Sequence, residues 1–170
     1  MGAAACLAAA VIDWRTGHIP NWLTLGTLCV GLFVLPLAQL VTGHGTWAQW
    51  GLAFAGALLC ALVPLLLFRA GAMGGGDVKL LAAVGALMGP SVGVEIELYS
   101  FIAAALWGPA CLAYRGELGR MLMNSVRIVR NWVVPKPKRI ALHTLSMTEL
   151  RFAPAVFVGF CVAATIQGVR

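Results

Sequence analysis

Residues 47–68 read Trp47-Ala-Gln-Trp-Gly-Leu-Ala-Phe-Ala-Gly-Ala-Leu-Leu-Cys-Ala-Leu-Val-Pro-Leu-Leu-Leu-Phe68, without any Asp, Glu, Lys or Arg. A helix of this length approaches the ~20 residues that cross ~30 Å of hydrocarbon. Across the whole chain, 61% of residues are hydrophobic and 11% are charged, and the mean hydropathy is +0.90. About a quarter of the residues in a soluble domain are charged. The sequence therefore predicts an all-α, polytopic membrane helix bundle.

Six apolar segments predict about six transmembrane helices within a single domain, residues 1–170. The first segment has only twelve residues and would rise about 18 Å as a helix, so it is too short to span the membrane. It represents a truncated helix that starts within the membrane or has its natural start upstream. The approximate segments are Met1–Ile12, Trp22–Val41, Trp47–Phe68, Val78–Val94, Leu98–Tyr114 and Phe152–Val169, with a turn near Glu95.

The positive charge is concentrated beside three of these segments. Eleven of the twelve Lys and Arg residues lie at Arg15, at Arg69 and Lys79, or within Arg115–Arg151. Basic loops flanking apolar spans are typical of the cytoplasmic side. The net charge of +6 is therefore a membrane-topology signal, and we expect no nucleic-acid partner.

Residues 115–151 form the longest basic region, predicted to be a cytoplasmic loop. From Leu118 to Val133 its apolar residues recur with a period of about 3.6, which predicts an amphipathic helix lying among lipid headgroups. Membrane lipid is the partner that this helix implies. A solvated loop is the alternative.

The five cysteines are scattered singly, as are the three histidines, without metal-ligand spacing. We therefore predict no metal site, no disulfide framework and no cofactor.

Glu95 and Glu97 are expected at the interface on the far side of the membrane. Gly89-Pro-Ser91-Val-Gly93 matches the serine-hydrolase elbow formally, but that motif needs a soluble strand, turn and helix. Gly85, Gly89 and Gly93 instead predict close helix packing.

The chain contains only two aspartates, Asp13 and Asp77, and both follow or begin an apolar segment on the basic side. A carboxylate at membrane depth is energetically expensive and indicates a functional site. Alternating the spans brings both to the cytoplasmic face, which is the minimum requirement for a catalytic pair. Taken separately, Asp13 could be a topology-loop residue capped by Arg15, and Asp77 could be a helix N-cap.

Asp77 is preceded by Gly74-Gly75-Gly76. Consecutive glycines permit unusual backbone dihedrals and close approach of another chain. These three glycines are therefore candidate substrate-binding residues. Lys79, two positions beyond Asp77, projects from another side of the helix and is expected to reach toward phospholipid.

The contexts of the two aspartates together match a known pattern. Asp13-x-Arg15-x-x-x-Ile19-Pro20-Asn21, followed by Met73-Gly-Gly-Gly-Asp77-Val-Lys79-Leu80, resembles the type IV prepilin peptidases, membrane aspartyl proteases with a Gly-x-Gly-Asp motif. Residues 150–155, Leu-Arg-Phe-Ala-Pro-Ala, are similar to the start of that family's last helix. The short chain looks like the small form associated with tight-adherence (Flp-type) pili, without a methyltransferase insert.

The resemblance implies an aspartic endopeptidase of the bacterial inner membrane, with Asp13 and Asp77 as its catalytic pair. Its partner would be a prepilin or pseudopilin precursor, whose leader is cleaved at the cytoplasmic face without a metal. Two other functions stay open. One is an ion- or proton-coupled carrier that uses the same aspartates, and the other is a non-catalytic pilus-assembly scaffold.

Overall fold

A computed structural model of the chain describes residues 2–43, 46–71, 73–114 and 152–169. All regular structure in these ranges is helical, which confirms the predicted all-α class. The elements are α1 (Gly2–Thr16), α2 (Asn21–Cys29), a π-helical turn (Val30–Val34), α3 (Leu35–Val41), α4 (Ala48–Arg69), α5 (Gly75–Tyr114) and α6 (Ala153–Val169). The predicted amphipathic segment from Leu118 to Val133 lies outside the described residues.

Three helical stretches among the described residues are long and apolar enough to cross a membrane. By length and composition they are Asn21–Val41, which joins α2, the π-helical turn and α3, then Ala48–Arg69 and Gly75–Ala110. The last of these is divided by a turn at Gly89. Ala153–Gly168 is a shorter apolar helix. Large apolar side chains such as Leu58 and Leu106 are exposed, as expected for surfaces that face lipid. The chain is an integral membrane protein.

Helix α1 continues four residues beyond the predicted end at Ile12. It ends after Thr16 because Gly17 adopts a φ of 68°, and the Gly17 amide donates to the Asp13 carbonyl at 2.8 Å. Glycine takes this left-handed conformation with little steric cost, so it ends helices efficiently. Asp13 therefore lies within the last turn of a helix, and not in the loop that follows it.

Helix α5 is interrupted at Gly89, where φ is 76° and ψ is 175°. In a straight helix, Gly85 and Gly93 would lie about 12 Å apart. A β-carbon on Gly93 would instead lie 2.9 Å from Cα of Gly85, so the chain folds back at Gly89. The predicted turn near Glu95 is wrong by six residues. Residues 75–88 and 90–104 form two adjacent arms, which we call the first and second arms of α5.

The first arm of α5 packs closely against several neighbours. Gly56 of α4 contacts the backbone of Gly85, and a β-carbon on Gly31 would lie 2.9 Å from the β-carbon of Ala86. Glycine allows helices in membranes to approach this closely because no side chain separates their backbones. The predicted role of Gly85 in close packing is confirmed by these contacts.

The second arm of α5 contains Glu97, which the structure buries against another helix. Glu97 is 6% exposed, and the Cys60 thiol of α4 donates a hydrogen bond to its carboxyl group. The fold-back at Gly89 turns this face of the second arm toward α4, which explains the burial. Glu95 is less buried and accepts a hydrogen bond from Nε2 of Gln167 at 3.1 Å.

The hydrophobic core lies where α1, α5 and α6 meet. Its buried members include residues from each of these helices: Cys6, Ala9, Leu80, Leu81, Val84, Ile96, Ala153, Val156 and Ala163. Ile19 joins this cluster from the loop between α1 and α2. This core holds the helix ends that carry both aspartates.

Candidate active site

Asp13 occupies the buried face of α1. Cys6, Ala9, Ala10 and Asp13 are all buried, and their spacing of three or four residues places them on one side of the helix. Asp13 is 6% exposed. The buried face of α1 is otherwise small and apolar, and at Asp13 it carries a carboxyl group instead.

Asp77 is the third residue of α5 and is partly buried. The Gly74 backbone N–H donates a hydrogen bond to its carboxyl group. A carboxylate at this position also benefits from the unpaired amides and the dipole of the helix N-terminus. These interactions hold the Asp77 side chain at the start of the first arm.

The two aspartates are brought to the same end of the bundle by an antiparallel packing of α1 and the first arm. Gly2 contacts the side chain of Met88 at one end of this pair. Asp13 is eleven residues beyond Gly2, and Asp77 is eleven residues before Met88. Both separations correspond to about 16 Å of helix, so the aspartates lie at a similar level. Their carboxyl groups are close enough for their charges to interact.

The loop between α1 and α2 packs directly on the glycine turn. Ile19 is 4% exposed, and a β-carbon on Gly76 would lie 3.3 Å from the Ile19 β-carbon. Nζ of Lys79 donates a hydrogen bond to Oδ1 of Asn21 at 2.8 Å. Lys79 was expected to reach toward phospholipid, and the structure instead bonds it to α2.

None of Gly74, Gly75 and Gly76 has a positive φ, whereas Gly71, shortly before them, does. The nearest neighbours of an added β-carbon would be Oδ2 of Asp77 at 3.2 Å for Gly74 and the Phe68 ring at 3.4 Å for Gly75. At Gly74 and Gly76 the turn therefore requires a small residue more than it requires unusual dihedrals. Binding of substrate by these glycines stays a prediction.

A shallow groove lies between α1 and the start of α6. It is lined by Ala10, Val11, Trp14, Arg15 and Pro154, so it adjoins Asp13 along the helix. Trp14 is 56% exposed. The groove combines an apolar floor with one cationic side chain.

Sequence reasoning missed the contacts of Ile19, Asn21 and Lys79. All three lie within the motifs quoted above, yet Asn21 and Lys79 are 58 residues apart in the chain. The one signal in the sequence is that a polar residue lies near the start of each helix, Asn21 in α2 and Lys79 in α5. Among the described residues, no group of three or more His, Cys, Asp or Glu side chains is placed to hold a metal ion.

An apolar helical bundle with two interacting carboxyl groups at one end defines a membrane protein with a candidate aspartyl site. Residues 1–109 match the model of the type IV leader peptidase family, and the chain belongs to this family. It is 38% identical over 122 residues to prepilin leader peptidase/N-methyltransferases of two Burkholderia pseudomallei strains, 1026b and K96243. These alignments cover 68% of this chain and 37% of each relative.

A prepilin leader peptidase/N-methyltransferase of Neisseria gonorrhoeae is 29% identical over 137 residues, covering 75% of this chain and 44% of the relative. The chain thus spans less than half the length of these curated relatives. No solved structure matches the chain significantly.

Proposed function

We propose that this protein is a membrane aspartyl endopeptidase that cleaves the leader peptide of type IV prepilins. The observation that carries the proposal is the convergence of Asp13 and Asp77 from helices separated by two other spans. The names of the similar proteins support the substrate class. In this proposal the substrate is a precursor of the Flp type, processed at the cytoplasmic face of the inner membrane.

The proposed chemistry follows from two neighbouring carboxyl groups. Because two like charges at close range are costly, one carboxyl keeps a proton while the other is ionised. The ionised carboxylate takes a proton from water, which attacks the scissile carbonyl carbon. The protonated carboxyl group hydrogen-bonds the carbonyl oxygen. The carboxyl pair then gives a proton to the leaving amine as the peptide C–N bond breaks. The proton is shared by the pair, so the roles of base and acid belong to both residues.

The glycine turn would provide access to this pair. In this proposal, an extended substrate backbone passes beside Gly74 and Gly75, where a larger side chain would obstruct it. The positions of both aspartates at helix ends favour a peptidase over a carrier, whose ion site would lie near the membrane midplane.

The direct test is incubation of the purified protein in detergent with a Flp-type pilin precursor. We expect a shorter product that begins at the mature pilin N-terminus, identified by mass spectrometry. An uncleaved precursor after prolonged incubation with folded protein would contradict the proposal.

Replacement of Gly76 should test the packing of the glycine turn. Gly76→Val places two further methyl groups against Ile19, whose β-carbon already lies 3.3 Å from the position of an added β-carbon. We expect at least a tenfold fall in cleavage, since displacing a catalytic group by about 1 Å can cost 100-fold. Gly75→Ala is the comparison and should be milder, because it adds a single methyl group that meets the edge of the Phe68 ring at an ordinary 3.4 Å. Equal rates for the two variants would contradict the proposed sensitivity of this turn.

A further inference from the structure

The hydrogen bond between Lys79 and Asn21 connects the two halves of the candidate site. Asn21 is the first residue of α2, and Lys79 lies one turn into α5. The bond joins the Nζ of Lys79 to the Oδ1 of Asn21 at 2.8 Å. A charged donor makes this a stronger bond than one between neutral groups. Because both side chains are exposed, its loss should leave the buried core intact.

The same bond lies beside the contact between Ile19 and Gly76. Ile19 is two residues before Asn21, and Gly76 is three residues before Lys79. Ile19 is buried against the glycine turn. The hydrogen bond therefore restrains the loop and the turn from the solvent side, while Ile19 restrains them from the core side.

The loop is also bonded tightly to the end of α1. The Thr16 hydroxyl lies 2.8 Å from the Ile12 carbonyl oxygen and 2.9 Å from the His18 carbonyl oxygen. The Gly17 amide donates to the carbonyl of Asp13 itself. A displacement of the loop would consequently move the last turn of α1, in which Asp13 lies.

We propose that Asn21 and Lys79 are positioning residues, whose hydrogen bond sets the separation of the Asp13 and Asp77 carboxyl groups. The catalytic consequence rests on the proposed peptidase function. The geometric consequence does not, because it concerns the distance between two side chains. Neither Asn21 nor Lys79 is assigned a contact with the reacting peptide.

The first experiment compares cleavage by three variants. Asn21→Leu removes the acceptor, and Lys79→Met removes the donor; each should lower kcat about 10- to 100-fold, with a smaller change in KM. Asn21→Asp keeps an acceptor oxygen and adds a charge opposite to that of Lys79, so it should retain most of the parent kcat. Arg69→Met, which removes a cation just before the glycine turn, is the control and should cleave normally.

The double variant Asn21→Leu/Lys79→Met should be no slower than the worse single variant, because both changes remove one interaction. If Lys79→Met is slow while Asn21→Leu cleaves at the parent rate, Lys79 acts by itself and the proposal is wrong. Multiplicative losses in the double variant, or an Asn21→Asp variant as slow as Asn21→Leu, would also overturn it.

The second experiment measures geometry without substrate. In a background lacking the five native cysteines, Asp13→Cys and Asp77→Cys are combined and treated with a short bismaleimide. We expect Asn21→Leu to lower the yield of the internal cross-link severalfold and Asn21→Asp to preserve it. Glu95→Cys with Gln167→Cys is the control pair, since those side chains meet elsewhere in the bundle at 3.1 Å. Its cross-linking should be unaffected by Asn21→Leu.

The two experiments separate the two proposals. If the parent protein cleaves no prepilin, the peptidase function fails, while the cross-linking yields still test the positioning role. An unchanged Asp13–Asp77 cross-link in Asn21→Leu would overturn the positioning role, whatever the protein cleaves. Thermal unfolding in detergent should show that Asn21→Leu is folded like the parent.

Discussion

Asp13→Asn and Asp77→Asn are each expected to reduce prepilin cleavage by at least a thousandfold while leaving the folded protein in the membrane. The amide keeps the shape of the carboxyl group, but it neither ionises nor supplies an acidic proton. Loss of general acid–base catalysis alone typically costs 10²- to 10⁴-fold, and here the same pair would also activate the water. The measurement is product formation by purified variants in detergent.

Glu97→Gln is the matched control for this experiment. It removes another buried carboxyl group from the same helix as Asp77, α5, at a position that contacts Cys60 of α4. We expect near-parent cleavage by Glu97→Gln. Cleavage by Asp13→Asn or Asp77→Asn within tenfold of the parent would remove that aspartate from the proposed chemistry.

Gly56→Val is expected to prevent the accumulation of folded protein. A β-carbon on Gly56 would overlap the Gly85 carbonyl oxygen, and it would also lie 2.9 Å from the carbonyl carbon of Gly89. These are backbone atoms, so relief requires separation of α4 from α5. Overpacking of this kind costs about 1–3 kcal/mol even where side chains can adjust. We expect a larger loss here, measured by thermal unfolding and by the monodisperse fraction after purification.

Gly51→Val provides the control in the same helix. Apart from its chain neighbours and the backbone of its own helix, no atom of the described residues lies within 4 Å of its added β-carbon. It should fold and unfold like the parent protein. Similar stability of Gly56→Val and Gly51→Val would contradict the close crossing of α4 and α5. It would also argue against the packing of the second arm of α5 on α4, which buries Glu97.

The membrane class, the helical architecture and the two aspartates could be predicted from the sequence because they depend on local composition. The predicted segments Trp22–Val41 and Trp47–Phe68 correspond within one residue to Asn21–Val41 and Ala48–Arg69. Long uncharged runs have few alternatives, since backbone polar groups in lipid must be satisfied within a helix. Asp13 and Asp77 could be identified as candidate site residues because charged side chains are rare beside such apolar segments.

The turn at Gly89 and the burial of Glu97 required the tertiary structure. Residues 78–94 are almost uniformly apolar, so hydropathy cannot distinguish a helix that continues through Gly89 from one that folds back there. The direction taken by the second arm then decides which of its faces meets α4. The sequence around Glu97 predicts an interfacial position. Its contact with Cys60 involves a residue 37 positions earlier in the chain, on another helix, and only the packing of the two helices reveals it.

The sequence by itself determined that this protein is a helical membrane protein with two aspartates at the ends of apolar segments. Only the tertiary structure decided how those aspartates are held together. Gly2 against Met88, Ile19 against Gly76, and Lys79 bonded to Asn21 all join residues more than 50 positions apart. Periodicity describes one helix at a time, but such contacts depend on the register between helices, which is set by the packing of the whole bundle.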